Sequence, residues 1–309
     1  MVRGLHPYSV ELGLQLPSFS WPGGPAAISE RLGQIAAAAE EAGFSSLWVM
    51  DHLFQLPEAT GWGGPDQPML EAYTTLGFLA GATSRLELGA LVTGSTYRAP
   101  GLLVKSVTTL DVLSRGRAWL GIGAGWYERE ALGLGLAFPP RGERFERLEE
   151  CLQIVLQLWA GDRTPYEGRH FQLEEPILNP APIQRPHPPI LIGGNGERRT
   201  LRLVALYGDA CNILVPDPGE SRAKLAVLWR HCQELERDYE RIKKTALIEL
   251  DLRPGRMSVQ DAIARLRGQA EEGIQQVIVN LPDVHEPGTM ERLGADVIPE
   301  VRSVEPARA

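Results

Sequence analysis

Residues 88–100 read LGALVTGSTYRAP. The apolar first half has the composition of a buried strand. The second half places Thr93, Gly94, Ser95, Thr96, Tyr97 and Arg98 in the loop that leaves it. Strand exits of this kind, repeated along a chain, are where a (β/α)8 barrel assembles its active site. Small side chains and backbone donors there let a flat polar ring lie against the main chain.

The same alternation recurs eight times along the chain. Strands are expected at Val10–Leu16, Leu47–Met50, Leu86–Val92, Ala118–Ile122, Ile190–Ile192, Ala210–Leu214, Ala246–Leu252 and Gln276–Leu281. Between them fall helical patterns at Ala26–Ala42, Glu71–Ala82, Gly101–Leu113, Arg144–Leu158, Arg198–Tyr207, Glu220–Tyr239 and Val259–Glu272, with a last one near Met290–Leu293. Ile28, Leu32, Ile35 and Ala39 recur at helical spacing, and Gly43 stops that helix. Strands alternating with helices pair in parallel, and eight such units favour a closed α/β barrel over an open sheet. The expected fold is therefore a (β/α)8 TIM barrel forming a single domain over residues 1–309. It carries a Pro-rich insertion at about 161–189, after the fourth helix. Pro180, Pro182, Pro186, Pro188 and Pro189 forbid a helix or central strand in that insertion. Tyr166, His170 and Phe171 are the residues able to anchor it.

Composition narrows the class. A net charge of -8 argues against a nucleic-acid or anionic-membrane partner. Lysine occurs only at 105, 224, 243 and 244, and no run of basic residues forms a patch. Cys151, Cys211 and Cys232 are odd in number and widely spaced, which suits neither a disulfide framework nor a zinc site. With no basic-then-apolar leader and no apolar run long enough to span a bilayer, the expectation is a soluble cytoplasmic protein acting on a small molecule. Metal ligation is not expected, because the 6 histidines include no HxH or HExxH pair.

The chemistry has to come from the strand exits. Gly121-Ile122-Gly123-Ala124-Gly125 suggests a dinucleotide fingerprint, but it follows the fourth strand, and Trp126-Tyr127 intrude where a phosphate would sit. In a barrel, Gly123 and Gly125 instead let the backbone approach a bound ring. Gly193-Gly194-Asn195-Gly196 before a helix offers backbone donors to a phosphate, with Arg198 or Arg199 adding charge. A flexible turn is the alternative. Asp51-His52 ends the second strand: a proton donor or acceptor beside an Asp able to orient its ring, or else a loop cap beside a packed His. Trp62, Tyr97, Trp126 and Tyr127 fall on exit loops as pocket walls. Asp111, Arg115 and Arg117 precede the fourth strand, on the barrel's stability face. The charge run Glu143, Arg144, Glu146, Arg147, Glu149 and Glu150 reads as the solvated face of a helix.

These residues resemble the luciferase-like monooxygenase superfamily, in particular its branch that uses the deazaflavin coenzyme F420. The resemblance runs from about Val10 to Ile298 through LWVMDH (47–52), MLEAYTTLGFLA (69–80), LGALVTGSTYRAP (88–100), TLDVLSRGRAWLGIGAGW (109–126), YEGRHF…RPHPPILIGG (166–194) and VIVNLP (277–282). It implies a barrel with this insertion, usually dimeric, and hydride transfer between F420 and an organic substrate. Asp51 would contact the deazaflavin and His52 would transfer protons. Leu91-Val92 matches a bulge with a non-proline cis peptide that backs the ring, Thr93 and Gly94 line its edge, and Gly193 to Gly196 match the phosphate end of the tail site. Where relatives oxidising sugar phosphates place an acid after the fourth-strand glycines, this chain has Trp126. Glu128 and Glu130 lie nearby, out of register. Two alternatives remain beside this reading: an FMN-dependent monooxygenase of the same superfamily, and a non-catalytic carrier of flavin or deazaflavin.

Overall fold

The computed structural model describes residues 10–214, 219–304 and 306–307. In chain order its elements begin with β1 (Glu11–Leu16), α1 (Pro25–Ala42), β2 (Ser46–Val49), α2 (Ala72–Ala82), β3 (Glu87–Ala90), β4 (Thr93–Gly94) and α3 (Pro100–Leu113). Then come β5 (Ala118–Gly123), α4 (Glu128–Gly133), α5 (Arg141–Trp159), the hairpin β6 (Tyr166–Glu167) and β7 (Gln172–Leu173), β8 (Ile190–Gly193) and α6 (Thr200–Tyr207). The last elements are β9 (Ala210–Leu214), α7 (Glu220–Glu234), β10 (Lys243–Glu249), α8 (Val259–Glu271), β11 (Gln276–Asn280), α9 (Pro287–Arg292) and α10 (Ile298–Arg302). The fold class is the expected (β/α)8 barrel.

The residues group into two compact units. One comprises the described parts of Met1–Leu16, Trp21–Trp48 and Gly194–Ala309. There β1, β11, β10 and β9 pair in parallel, with Leu12 opposite Val277, Ala246 opposite Val277 and Thr245 opposite Asn212. Leu14, Ala246, Val277 and Val279 are wholly buried. Local signals start the helices: Pro25 opens α1, while Ser258 and Asp261 form a capping box on α8 that satisfies two end donors reciprocally.

The other unit comprises Pro17–Ser20 and Val49–Gly193. Its parallel ladder joins β3 and β4 to β5 and β5 to β8, with Leu120 opposite Ile190 and Ile122 opposite Ile192. Each such buried Leu or Ile contributes about 1.5–3 kcal/mol relative to an exposed one. Position 121 must be glycine, since a Cβ there would lie 1.9 Å from the Ala90 carbonyl oxygen.

The insertion is ordered, as expected, and side chains from two helices hold it. Buried Asp111 of α3 accepts from the Ile183 and Gln184 amides at 2.5 and 3.2 Å. Glu150 of α5 accepts from the Arg169, His170 and Phe171 amides. Tyr166 donates to Gln153, and His170 meets Glu146 at 2.8 Å. The charge run on α5 is thus more than a solvated face: Glu146 and Glu150 tie down the insertion.

Several boundaries shift, and two of the shifts have clear local causes. The seventh barrel strand starts at Lys243, three residues early, because Lys244 is buried with its ammonium donating to the Tyr239 carbonyl at 3.0 Å. Helix α7 stops at Glu234, since Glu236 takes φ 53° and Arg237 closes back on the Cys232 carbonyl.

Candidate active site

The candidate chemistry of the second unit clusters where β2, β3, β4 and β5 end. The chain leaves β3 through a cis peptide at Leu91-Val92, where the resemblance places one. Val92 then fills the space above two glycines. A Cβ on Gly123 would come within 3.0 Å of the Val92 side chain, and one on Gly193 within 2.9 Å. The close approach that these glycines permit is therefore that of Val92. Thr93 and Gly94 pair with Ile122 and Gly123 and are buried.

Asp51 is completely buried, and its partner is Arg98, not His52. Arg98 grips it through two hydrogen bonds, Nη1 to Oδ2 at 2.5 Å and Nη2 to Oδ1 at 3.0 Å. The same guanidinium pairs with Glu71 and lies 4.7 Å over the Tyr73 ring. Tyr73 in turn meets Thr93 Oγ1 at 2.8 Å, and Glu71 caps α2 by accepting from the Thr74 amide. Burial pushes the Asp51 carboxyl up, against the opposing pull of Arg98. The expectation that Asp51 orients the imidazole is corrected here.

His52 is instead held by Glu130. Its Nδ1 lies 2.6 Å from Glu130 Oε1, and Tyr97 donates its hydroxyl to that same oxygen. Glu130 Oε2 accepts from the Leu53 and Phe54 amides at 2.7 and 3.1 Å. Burial works to raise the Glu130 carboxyl. The hydrogen bonds and charge from His52, with Tyr97 and the Phe54 amide, leave it below the usual carboxylate range. Glu130 is thus an ionised, wholly buried acceptor with four donors. It reaches them because α4 packs closely on this loop, where a Cβ on Gly133 would be 3.0 Å from the Phe54 ring.

Beside His52 stand two aromatic rings. Trp126 and Tyr127 stack at 5.1 Å, and Trp126 meets the imidazole edge-on at 5.5 Å. Trp126 remains 57% exposed, so it is available to a ligand. Gly125 turns at φ 72°, and its carbonyl and that of Ala124 accept from Arg144, whose guanidinium lies 4.2 Å over Phe138. Trp62 is half-buried in the loop after β2 and is not a member of the hydrogen-bonded cluster.

In the first unit, the glycine loop is more committed than its sequence suggests. The Gly194 amide donates to the Asn212 carbonyl at 3.0 Å, and the Asn195 side chain braces Leu214 through both its amide atoms. Helix α6 starts at Thr200 rather than near Arg198. Among the described residues, the amides of Asn195, Gly196 and Arg198 have no protein partner. No group of His, Cys, Asp and Glu suited to a metal occurs among the described residues.

Sequence reasoning brought Asp51, His52, Val92, Thr93, Gly94, Gly123, Tyr97 and Trp126 to the right strand exits. It missed Glu71, Tyr73, Arg98 and Arg144, and it set Glu130 aside. Arg98 had a signal: a buried Asp at one exit needs a cation, and Arg98 is the cation in the adjacent exit loop.

The chain belongs to the luciferase-like monooxygenase family, whose model matches residues 10–296. Within that family it is similar to an F420-dependent glucose-6-phosphate dehydrogenase from Microbacterium testaceum, 36% identical over 52% of this chain and 46% of the relative. It is also similar to an F420-dependent hydroxymycolic acid dehydrogenase from Mycobacterium tuberculosis, 30% identical over 71% of this chain and 58% of that one. The chain spans about half the length of the glucose-6-phosphate dehydrogenases it matches. Among solved structures, an F420-dependent secondary alcohol dehydrogenase in complex with an F420-acetone adduct shares the fold. Its TM-score is 0.79 at 20% identity, over 95% of this chain and 99% of that one.

Proposed function

We propose that this protein is an F420-dependent oxidoreductase that transfers a hydride between the deazaflavin and a small, uncharged organic substrate. The observation that carries the reading is His52. Its Nδ1 is bound to Glu130, while Nε2 makes no hydrogen bond among the described residues and the ring borders an exposed tryptophan. That is the disposition of a proton donor or acceptor awaiting a substrate. Family membership and the F420-dependent relatives support the choice of cofactor.

The residues present fit a deazaflavin. Val92, Thr93 and Gly94 form a backbone shelf, and Thr96 Oγ1 is buried there with no partner among the described residues. Taken by itself, the loop of the first unit leaves the amides of Gly196 and Arg198 open to an anion among the described residues. When bound, F420 supplies hydride chemistry at a ring carbon. The protein holds the ring's surroundings in place and moves the substrate's proton at His52.

The substrate class follows from charge already committed. Arg98 is taken by Asp51 and Glu71, so it is not left for a phosphoryl group. Exposed Trp126 offers an apolar wall instead. Titration with both cofactors should show F420 binding more tightly than FMN, and a substrate panel should favour neutral alcohols or ketones over glucose 6-phosphate. FMN binding tenfold or more tighter, about 1.4 kcal/mol, overturns the F420 assignment in favour of a flavin-dependent enzyme. Binding without turnover of any substrate favours a carrier.

Three buried, unpaired cysteines support a cytoplasmic setting, and no helix among the described residues is long and apolar enough to cross a membrane. Exposed Phe78 on α2 and Leu102 and Leu113 on α3 support a homodimer. Analytical ultracentrifugation should then give the mass of two chains, and a single chain at micromolar concentration would refute it.

A further inference from the structure

We propose that Glu130 is a positioning residue that fixes His52 as its Nδ1–H tautomer and so makes Nε2 the atom that exchanges the substrate's proton. The inference rests on the proposed role of His52 and names the group that sets it.

A carboxylate only accepts, so each neighbour of Glu130 must bring a hydrogen. The Leu53 and Phe54 amides occupy Oε2, and the Tyr97 hydroxyl takes one place on Oε1. The remaining contact, 2.6 Å from His52 Nδ1, then requires a hydrogen on Nδ1. A neutral imidazole carries one N–H, so Nε2 is the bare nitrogen. With Nε2 as base, its bond to hydrogen forms as the substrate O–H breaks. In the other direction the imidazolium returns that proton. Throughout, Nδ1 keeps its hydrogen, and the buried anion stabilises the imidazolium.

Other groups around His52 do not compete for this role. Asp51 is held by Arg98, Tyr97 donates to Glu130, and Trp126 and Tyr127 present ring edges and faces rather than charge. The carboxylate is also fixed from two sides. Helix α4 carries it, and the backbone immediately after His52 donates to it, so the imidazole and its partner are held as one body. Tyr97, from the third strand exit, closes the group.

The test is 15N NMR of histidine-labelled protein without cofactor, with the His52 signals assigned by their loss in His52→Asn. In the parent protein above the imidazole's titration, Nδ1 should be protonated and Nε2 bare. In Glu130→Gln the side-chain amide must donate to Nδ1, so the tautomer should invert. Turnover should then fall, with cofactor affinity held. A parent protein with Nε2 protonated overturns the proposal without any variant, whether or not Glu130→Gln folds. So does a folded Glu130→Gln whose tautomer matches the parent. Since the tautomer is read in the absence of cofactor, a failure of F420 to bind would refute the proposed function and leave this result standing.

Discussion

Replacing His52 by asparagine is expected to lower turnover by about 10²-fold or more while cofactor affinity changes far less. Asparagine is the informative substitution because its Nδ2–H can reach the place of the imidazole Nδ1–H. It preserves the hydrogen bond to Glu130 and removes only the group that exchanges a proton. Alanine confounds the two effects. It leaves buried Glu130 one donor short, with Tyr97 alone on that oxygen, and a hydrogen bond to a charged group is worth about 1.5–3 kcal/mol. His52→Ala should therefore lose turnover to a similar extent and also melt earlier. Steady-state kinetics with reduced cofactor, beside a binding titration, separates kcat from affinity. A His52→Asn enzyme with near-parental kcat would show that solvent or another side chain supplies the proton, even with the cofactor assigned correctly.

The fold was legible because the hydrophobic pattern repeats. The strand at Ala210–Leu214 was bounded to the residue, and most other strands and helices to within a few residues. The failures have local causes. The strand expected from Ala246 begins at Lys243, because Lys244 is folded in, its ammonium 3.9 Å from the Tyr239 ring centroid. The short helix α4 spans only Glu128–Gly133, too few residues for a periodic signal to register. That omission hid Glu130, since a carboxylate cannot be aimed at His52 without the helix that carries it. Pairing was the other limit. Asp51 and His52 are neighbours in sequence, which suggested that one orients the other, but successive side chains leaving a strand point apart. Asp51 turns to Arg98 and His52 to Glu130, partners 47 and 78 residues further on. Sequence proximity showed where the chemistry gathers but not which groups meet.

Arg98→Ala is expected to lower the unfolding free energy by about 3–5 kcal/mol at neutral pH, the cost of leaving a buried charge without its partner. Asp51 has no exposed side-chain surface, and both its oxygens are bound by the one guanidinium. The link to Glu71 adds little, because that carboxylate is 42% exposed and water takes over the lost contact. The pH dependence has a definite sign. Burial already holds the Asp51 carboxyl above its ordinary range, and Arg98 opposes it. Without Arg98 the folded-state value rises further, so the folded protein binds a proton that the unfolded chain has released. Stability of the variant therefore falls as pH rises from about 4 through that raised value, and the loss is smaller at pH 5 than at pH 7.5. Urea unfolding followed by tryptophan fluorescence at the two pH values measures it. Adding Asp51→Asn to Arg98→Ala removes the stranded charge, and should recover part of the stability at pH 7.5 and flatten the pH dependence. A loss below about 1 kcal/mol, or one equal at both pH values, would mean that water, together with Thr93, satisfies Asp51 without Arg98. The same pairing bears on function, because Arg98 joins the loop after β4 to the start of α2 and to the residue before His52. If Arg98→Ala also loosens cofactor binding, the ion pair holds the ring-facing shelf in place. If affinity is unchanged in the molecules that remain folded, its contribution is to stability alone.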